Sequence, residues 1–326
     1  MFNRILLIIN VKFSFKQKYS LVYTKFNSHE SLIFLIMNKP LKWYLRRHSL
    51  LYKIRFKLIS KKSTFSDMED MCYNYINPKN EIPSIYFELN QSIFTETDGH
   101  LTDLKKAEKI ANWLRNNIKG GPGLGNSSES AIRKMINGEG GVCSDFAQVY
   151  NNFCVINDLK VKEWGLKIIT DEPQTKGGHS FNEIYSQELQ KWILIDVAKC
   201  LFFYHSALSL PLSVSDLIAL KRQKKEIKYC EFNKEITADP KRIKELYLAM
   251  NSFPFLITNY RNKICDYFLT KLNFLPVSLI HGILFLSGNS YAFQFPLDPI
   301  NNIIQRPVIR LIPKRNPMQV LEEIAK

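Results

Sequence analysis

Cys143, His179 and Asp196 are the residues whose types and settings could do chemistry. Cys143 stands in GEGGVCSDFAQVYNNFC, residues 138–154, just after Gly138, Gly140 and Gly141 and at the start of a stretch that reads as a helix. A thiol in that place lies beside unpaired backbone N–H groups and the positive end of the helix dipole. Both favour the thiolate, which is the nucleophile. The same N–H groups can stabilise a developing oxyanion. The glycines let the chain turn sharply and leave room for a substrate. Taken alone, the segment fits a small apolar residue opening a core helix equally well. Cys154, eleven residues on, reads as core.

His179 and Asp196 lie in GGHSFNEIYSQELQKWILIDVA, residues 177–198. Two alternating strands flank a polar SQEL connection, the pattern of a hairpin. With Gln187 and Glu188 at its centre, His179 faces Asp196, Phe181 faces Leu194 and Glu183 faces Trp192. Alternation puts all six on one side of the sheet. A slip of one pair would leave His179 and Asp196 as diagonal neighbours. An imidazole against a carboxylate is what nucleophilic catalysis needs. One ring nitrogen takes the thiol proton, and the carboxylate holds the other and stabilises the imidazolium.

Other candidates are weaker. Asp145 is placed to cap the first turn of the cysteine helix. Glu183 reads as a structural partner, and His205 could act as base only if the register is wrong. A metal site built from Cys143, His179 and Asp196 with Cys200 or His205 lacks the short-range ligand pairs of zinc sites. No metal and no cofactor are expected.

The elements that must position these residues follow from periodicity. LTDLKKAEKIANWLRNNI, 101–118, repeats Leu104, Ala107, Ala111 and Leu114 at helical spacing, with Trp113 as a packing residue. KGGPGLGNSSES, 119–130, is a glycine-rich loop without the Gly-Lys-Ser/Thr ending of a phosphate-binding loop. A short helix at 129–137 leads into the cysteine segment. VKEWGLKII, GHSFNEIY and KWILIDVA read as strands. Beyond residue 210 the chain reads as helical and charged over 212–228 and 240–250, then as a proline-punctuated end that includes PVIRLIP, 307–313.

Residues 104–199 resemble the transglutaminase-like superfamily, whose papain-like fold is shared by transglutaminases and peptide N-glycanases. GGVCSDFAQVY, GGHSFNEIY and KWILIDVAK carry the resemblance in order. It implies an α+β core, with the helix bearing Cys143 packed on an antiparallel sheet bearing His179 and Asp196. It also implies a thiol-dependent amide or ester hydrolase or acyltransferase working through a Cys143 thioester on a peptide, protein or amide-containing substrate. Phe181 fills the family's aromatic place after the histidine. Val197 and Ala198 replace the proline and threonine that often follow the aspartate. Nothing resembles the calcium loops of animal transglutaminases. The alternative is a catalytically silent scaffold of the same fold that binds a peptide or glycan.

The chain has 326 residues and a net charge of +15. Residues 1–62 hold 14 Lys and Arg against one acid, Glu30, whereas residues 63–326 hold 31 against 29. The charge therefore belongs to the N-terminal fifth, and no nucleic-acid groove is expected. The expected organisation is a basic arm at 1–63, a catalytic core at 64–210 and a mostly helical extension packed on it at 211–326. Residues 39–62, with Trp43, Tyr44 and Leu45 among the cations, suit peripheral contact with an anionic membrane. Met37 begins a second plausible start. No convincing signal peptide is found. The apolar run 274–288 is too short to span a bilayer and reads as core. Six scattered cysteines do not form a disulfide framework. A cytoplasmic, reducing setting is expected, with membrane association open through the arm.

Overall fold

The computed structural model describes Ile54 and residues 56–169, 178–205, 210–275 and 277–297. Eight strands run among them: β1 (Ser60–Lys62), β2 (Val161–Ile168), β3 (His179–Ser186), β4 (Lys191–Asp196), β5 (Leu201–His205), β6 (Ile227–Glu231), β7 (Ser252–Thr258) and β8 (Ala292–Phe295). They form one sheet in the order β1-β8-β7-β2-β3-β4-β5-β6. β1 lies parallel to β8 and every other neighbouring pair is antiparallel.

β2 is buried along its whole length, as a central strand with both faces covered must be. Its even-numbered Trp164, Leu166 and Ile168 join one core, while Val161 joins the other. On the face that Val161 joins lie helices α1 (Ser84–Ile93), α2 (Asp103–Asn117), α3 (Ser128–Lys134) and α4 (Cys143–Ile156). Thr102 caps α2 by accepting from the Lys105 N–H, and Ala107, Ile110, Ala111 and Leu114 form its buried stripe. These pack with Phe146, Tyr150 and Phe153 of α4 against Ile184, Ile193 and Ile195 of the sheet. Each such side chain, fully removed from water, contributes about 1.5–3 kcal/mol.

The second face is covered by α5 (Val214–Arg222), the short helix Pro240–Ile243 and the turn Lys244–Leu248. Leu217, Ile218, Ile243, Leu246 and Tyr247 meet Phe181, Leu194, Leu201 and Phe203 there. Helices α6 (Asn262–Lys271) and α7 (Val277–Leu286) form a pair closed by Cys265, Leu269, Ile280 and Leu284. The apolar run 274–288 is thus only partly core, since Leu279 and Leu286 are exposed. No described helix is long and apolar enough to cross a membrane.

Two expectations are corrected. Residues 211–297 hold more helix than strand, but they are not an extension packed on a finished core, because they supply β6, β7 and β8 to the same sheet, and β7 pairs directly with β2. The sequence SFPFLIT hides β7 behind Pro254, which lacks an N–H to donate. Pairing of β7 with β8 begins only at Leu256, so the proline lies where that side of the strand is open. The basic arm also ends earlier than residue 63. Phe56 and Ile59 are buried against Phe255, Phe293 and Phe295, and 60–62 form β1. Residues 39–53, with Trp43, Tyr44 and Leu45, and the segment 307–313 lie outside the described residues.

Candidate active site

Cys143 is the first helical residue of α4. What fixes it there is backbone against backbone. Gly120 and Gly141 form a parallel bridge, with the Gly121 N–H donating to the Gly141 carbonyl at 2.9 Å and the Gly141 N–H to Lys119 at 3.3 Å. Gly140 has φ +66°, and a Cβ on it would sit 2.6 Å from the Lys119 carbonyl oxygen. A side chain there would fight both its own backbone and that carbonyl. Asp145 accepts from the Val142 N–H at 3.0 Å and from the Leu124 N–H at 3.2 Å. It caps the helix, as expected, and also fastens the glycine-rich loop to it.

α4 is tied to the strands by buried amides. Asn182 of β3 donates to the Ala147 carbonyl at 3.1 Å and to Asn151 Oδ1 at 2.7 Å, and Asn151 donates to Glu163 Oε2 of β2 at 2.9 Å. Burial pushes the Glu163 carboxyl up to about 8, and the charges of Cys143 and Asp145 act in the same direction against the Asn151 bond.

His179 begins β3 and Asp196 ends β4. Their hairpin is shifted by one pair from the symmetric register. Glu183 faces Leu194, and Tyr185, not Glu183, faces Trp192. The connection has four residues, 187–190, with Gln190 at φ +52° and Leu189 packed on the helical core. Leu189 lies in the loop, half-buried against the helical core, and the turn centre moves toward Lys191. His179 and Asp196 become diagonal neighbours on one face. Diagonal spacing is within reach of these side chains. His179 Nε2 meets Asp196 Oδ2 at 2.7 Å.

The ring's other nitrogen, Nδ1, is left for the thiol, and the Cys143 side chain lies close enough to His179 and the Ser180 backbone for both to act on it electrostatically. Cys143 is half-buried, His179 is 8% exposed and Asp196 is 0% exposed. Burial pushes the Cys143 thiol up, but the hydrogen bond and charge of His179, with the Ser180 backbone, bring it below its ordinary value. Burial works against the imidazolium, yet the Asp196 carboxylate and then the thiol raise His179 to about 10. Asp196 is held below the usual carboxylate range against its own burial. His179, Tyr247 and Lys199 outweigh the desolvation. The arrangement favours a thiolate–imidazolium pair at neutral pH.

Tyr247, in the turn Lys244–Leu248, is the contributor that sequence reasoning missed. Its hydroxyl donates to Asp196 Oδ2 at 2.8 Å, while the Lys199 N–H donates to Oδ1 at 3.0 Å. No motif marks it, and it stands 51 residues beyond Asp196. The remaining candidates fall into structural places. Glu183 accepts from Trp164 Nε1 at 2.9 Å and from the Val214 N–H at 2.8 Å, joining β2 to the start of α5. His205 lies at the end of β5 away from Asp196, which faces Leu201. Trp113 meets Phe153 edge-on at 5.8 Å. Cys154 is wholly buried and its thiol is pushed up by burial. Cys200 is buried, with its thiol pushed up to about 12. All six cysteines are unpaired, and no group of metal-ligating residues occurs among the described residues.

The family model described as the transglutaminase-like superfamily matches residues 89–197. Among solved structures, the chain is similar to a candidate cysteine protease from Cytophaga hutchinsonii, at 23% identity and a TM-score of 0.28. That likeness covers 35% of this chain and 38% of the other, so the chain spans well under half of that protein's length. No curated protein matches the chain. The family match begins in α1 and ends just past Asp196, so it takes in Cys143, His179 and Asp196. Over residues 89–197 the chain is similar to the transglutaminase-like superfamily.

Proposed function

We propose that the protein is a thiol-dependent amide or ester hydrolase or acyltransferase whose nucleophile is Cys143. The supporting observation is that one imidazole, His179, is hydrogen-bonded to Asp196 and interacts electrostatically with Cys143 at the head of α4. Cys143 Sγ attacks the carbonyl carbon of a peptide, protein or other amide-containing substrate. The proton that Sγ has already given up is held on His179 Nδ1. The carbonyl π electrons move to oxygen, where the Cys143 and Ser144 N–H groups at the head of α4 can receive the charge, having no intrahelical partners. Collapse of this intermediate breaks the bond to the leaving amine or alcohol, which takes the proton from His179. The product is a Cys143 thioester. Water, deprotonated by His179, then attacks the thioester, releases the carboxylic acid and restores the thiol. An amine in place of water gives transamidation. Asp196 keeps the ring oriented and its charge compensated throughout.

The basic segment 39–53 is proposed, on its charge and aromatic content, as a contact for an anionic membrane surface from the cytoplasmic side. Phe56 and Ile59 are not available for that contact, since both are buried in the fold.

The test is alkylation of Cys143 by iodoacetamide across pH, read by peptide mass spectrometry, in wild type and His179→Ala. Exposed Cys230 and buried Cys154 serve as references in the same digest. Cys143 should react well below about pH 8.5, the ordinary thiol value, and the histidine substitution should abolish this. If Cys143 follows Cys230, or is inert in both proteins, the reading fails and a binding scaffold takes its place.

A further inference from the structure

We propose that Tyr247 is a positioning residue that sets how strongly Asp196 pulls on His179. The inference rests on the reading of Cys143, His179 and Asp196 as a working triad. It concerns a residue outside the segment that matches the family model, which ends at residue 197.

Asp196 Oδ2 accepts two hydrogen bonds, from His179 Nε2 at 2.7 Å and from the Tyr247 hydroxyl at 2.8 Å. Two donors on one oxygen share its charge, so each bond weakens the other. Tyr247 is wholly buried, so its hydroxyl has no water to turn to. Its ring is also fixed. It meets His179 edge-on at 6.0 Å and 81°, Phe181 at 5.5 Å and Phe203 at 4.5 Å. The tyrosine therefore walls one side of the imidazole while it draws charge from the carboxylate behind it. The groups facing the pair are Cys143 from α4, Asp196 from β4, Tyr247 from its turn and Lys199 from the turn after β4.

Removing only the hydroxyl has a definite sign. Asp196 Oδ1 keeps the Lys199 N–H, and the carboxylate stays packed and wholly buried, so its rotamer is retained. With one donor gone, Oδ2 becomes a stronger acceptor toward His179. The imidazolium is then held more tightly, not less.

The test is NMR of ring-labelled histidine in wild type and Tyr247→Phe, with the His179 signal assigned by its loss in His179→Ala. In Tyr247→Phe, deprotonation of His179 should move up by about half a pH unit to one unit. That is roughly a 3- to 10-fold gain in proton affinity. The Nε2 proton should also move downfield. Replacing Tyr247 by 3-fluorotyrosine, a stronger donor of nearly the same size, should shift both readouts the other way. This second variant answers the question even if the phenylalanine protein does not fold. Unchanged or downward titration in Tyr247→Phe, or no opposite response from the fluorinated residue, overturns the proposal. Failure of the triad reading shows elsewhere, as ordinary-thiol alkylation of Cys143. The histidine titration is read independently of that reaction.

Discussion

Asp196→Asn keeps the size of the side chain and removes its charge, and the three donors around it set the outcome. The carboxylate accepts from His179 and Tyr247 on Oδ2 and from the Lys199 N–H on Oδ1. An asparagine has one acceptor oxygen and one donor NH2. If the oxygen stays toward His179 and Tyr247, the NH2 faces the Lys199 N–H. If the amide is reversed, the NH2 faces both the ring and the hydroxyl. The imidazole must then bare Nε2 and carry its proton on Nδ1, where it can no longer accept from Cys143. In either case the charge that holds His179 protonated is gone. One buried donor left against another costs about 1–3 kcal/mol, and a lost hydrogen bond to a charged group about 1.5–3 kcal/mol. Partial relaxation of the amide brings the expected loss at pH 7 to about 2–4 kcal/mol. For a domain of this size that is a fall of roughly 4–15 °C in Tm.

The loss must depend on pH. Asp196 is depressed in the fold, so its stabilising effect is present above the ordinary carboxylate value and disappears as pH falls through the lower folded value. His179 is raised, so its effect is complete below the ordinary imidazole value and is lost as pH rises through about 10. The gap between wild type and Asp196→Asn is therefore widest between about pH 5 and 7 and narrows on both sides. Denaturant unfolding at pH 3, 6 and 10 measures it, and Cys143 alkylation at pH 6 should fall at least 10-fold in the variant. A gap that stays constant across the three pH values would refute the charge argument. So would undiminished alkylation at pH 6.

Glu163 is raised to about 8 from 4.5, so the folded state holds a proton that the unfolded state has released between those values. Stability is lost as pH climbs through that window, and Glu163→Gln, which keeps the Asn151 bond, should be more stable than wild type by about 2–3 kcal/mol at pH 7 and about equal at pH 4. Chemical unfolding at the two pH values decides it, and a less stable variant at pH 7 would contradict the buried neutral acid. Glu183→Ala strands the Trp164 and Val214 donors and should cost about 2–4 kcal/mol. The pH profile of Cys143 alkylation should stay in place, and a shifted profile would move Glu183 into the triad's charge balance. Gly140→Ala puts a Cβ against the Lys119 carbonyl at positive φ. It should cost at least about 2 kcal/mol and slow Cys143 alkylation, and full stability with wild-type alkylation would show that the glycine is dispensable.

The parts that can be read from the sequence are those whose pattern is local. Cys143 at a helix start is legible from three glycines and an apolar repeat. The side-by-side placement of His179 and Asp196 is legible because period-two alternation fixes which residues share a face, whatever the exact register. The register itself is not. The turn residues 187–190 do not mark their own centre in sequence, and only the pairing of Ser186 with Lys191 shows that the connection has four residues, with Leu189 half-buried against the helical core. β7 is hidden by Pro254, whose cost vanishes only because β8 stops short of it. Tyr247 carries no signal at all. A single tyrosine in a helical turn is typical core, and its hydrogen bond to Asp196 depends on where a distant segment folds back.

That return of the chain explains why the matching segment does not finish the site. Residues 89–197 contain the thiol, the imidazole and the carboxylate, but leave β2 with one neighbour and Asp196 without its tyrosine. β2 is buried on both faces and lies between β3 and β7. Without β7 its free edge would expose a row of unpaired backbone groups beside Trp164 and Leu166. The same return delivers Leu246 and Tyr247 to the face that carries His179 and Phe181. Closing the sheet and completing the hydrogen bonds to Asp196 thus depend on the same return of the chain. The turn Lys244–Leu248 and the strand Ser252–Thr258 follow one another directly in the chain, so the segment that pairs with β2 also carries the donor to Asp196.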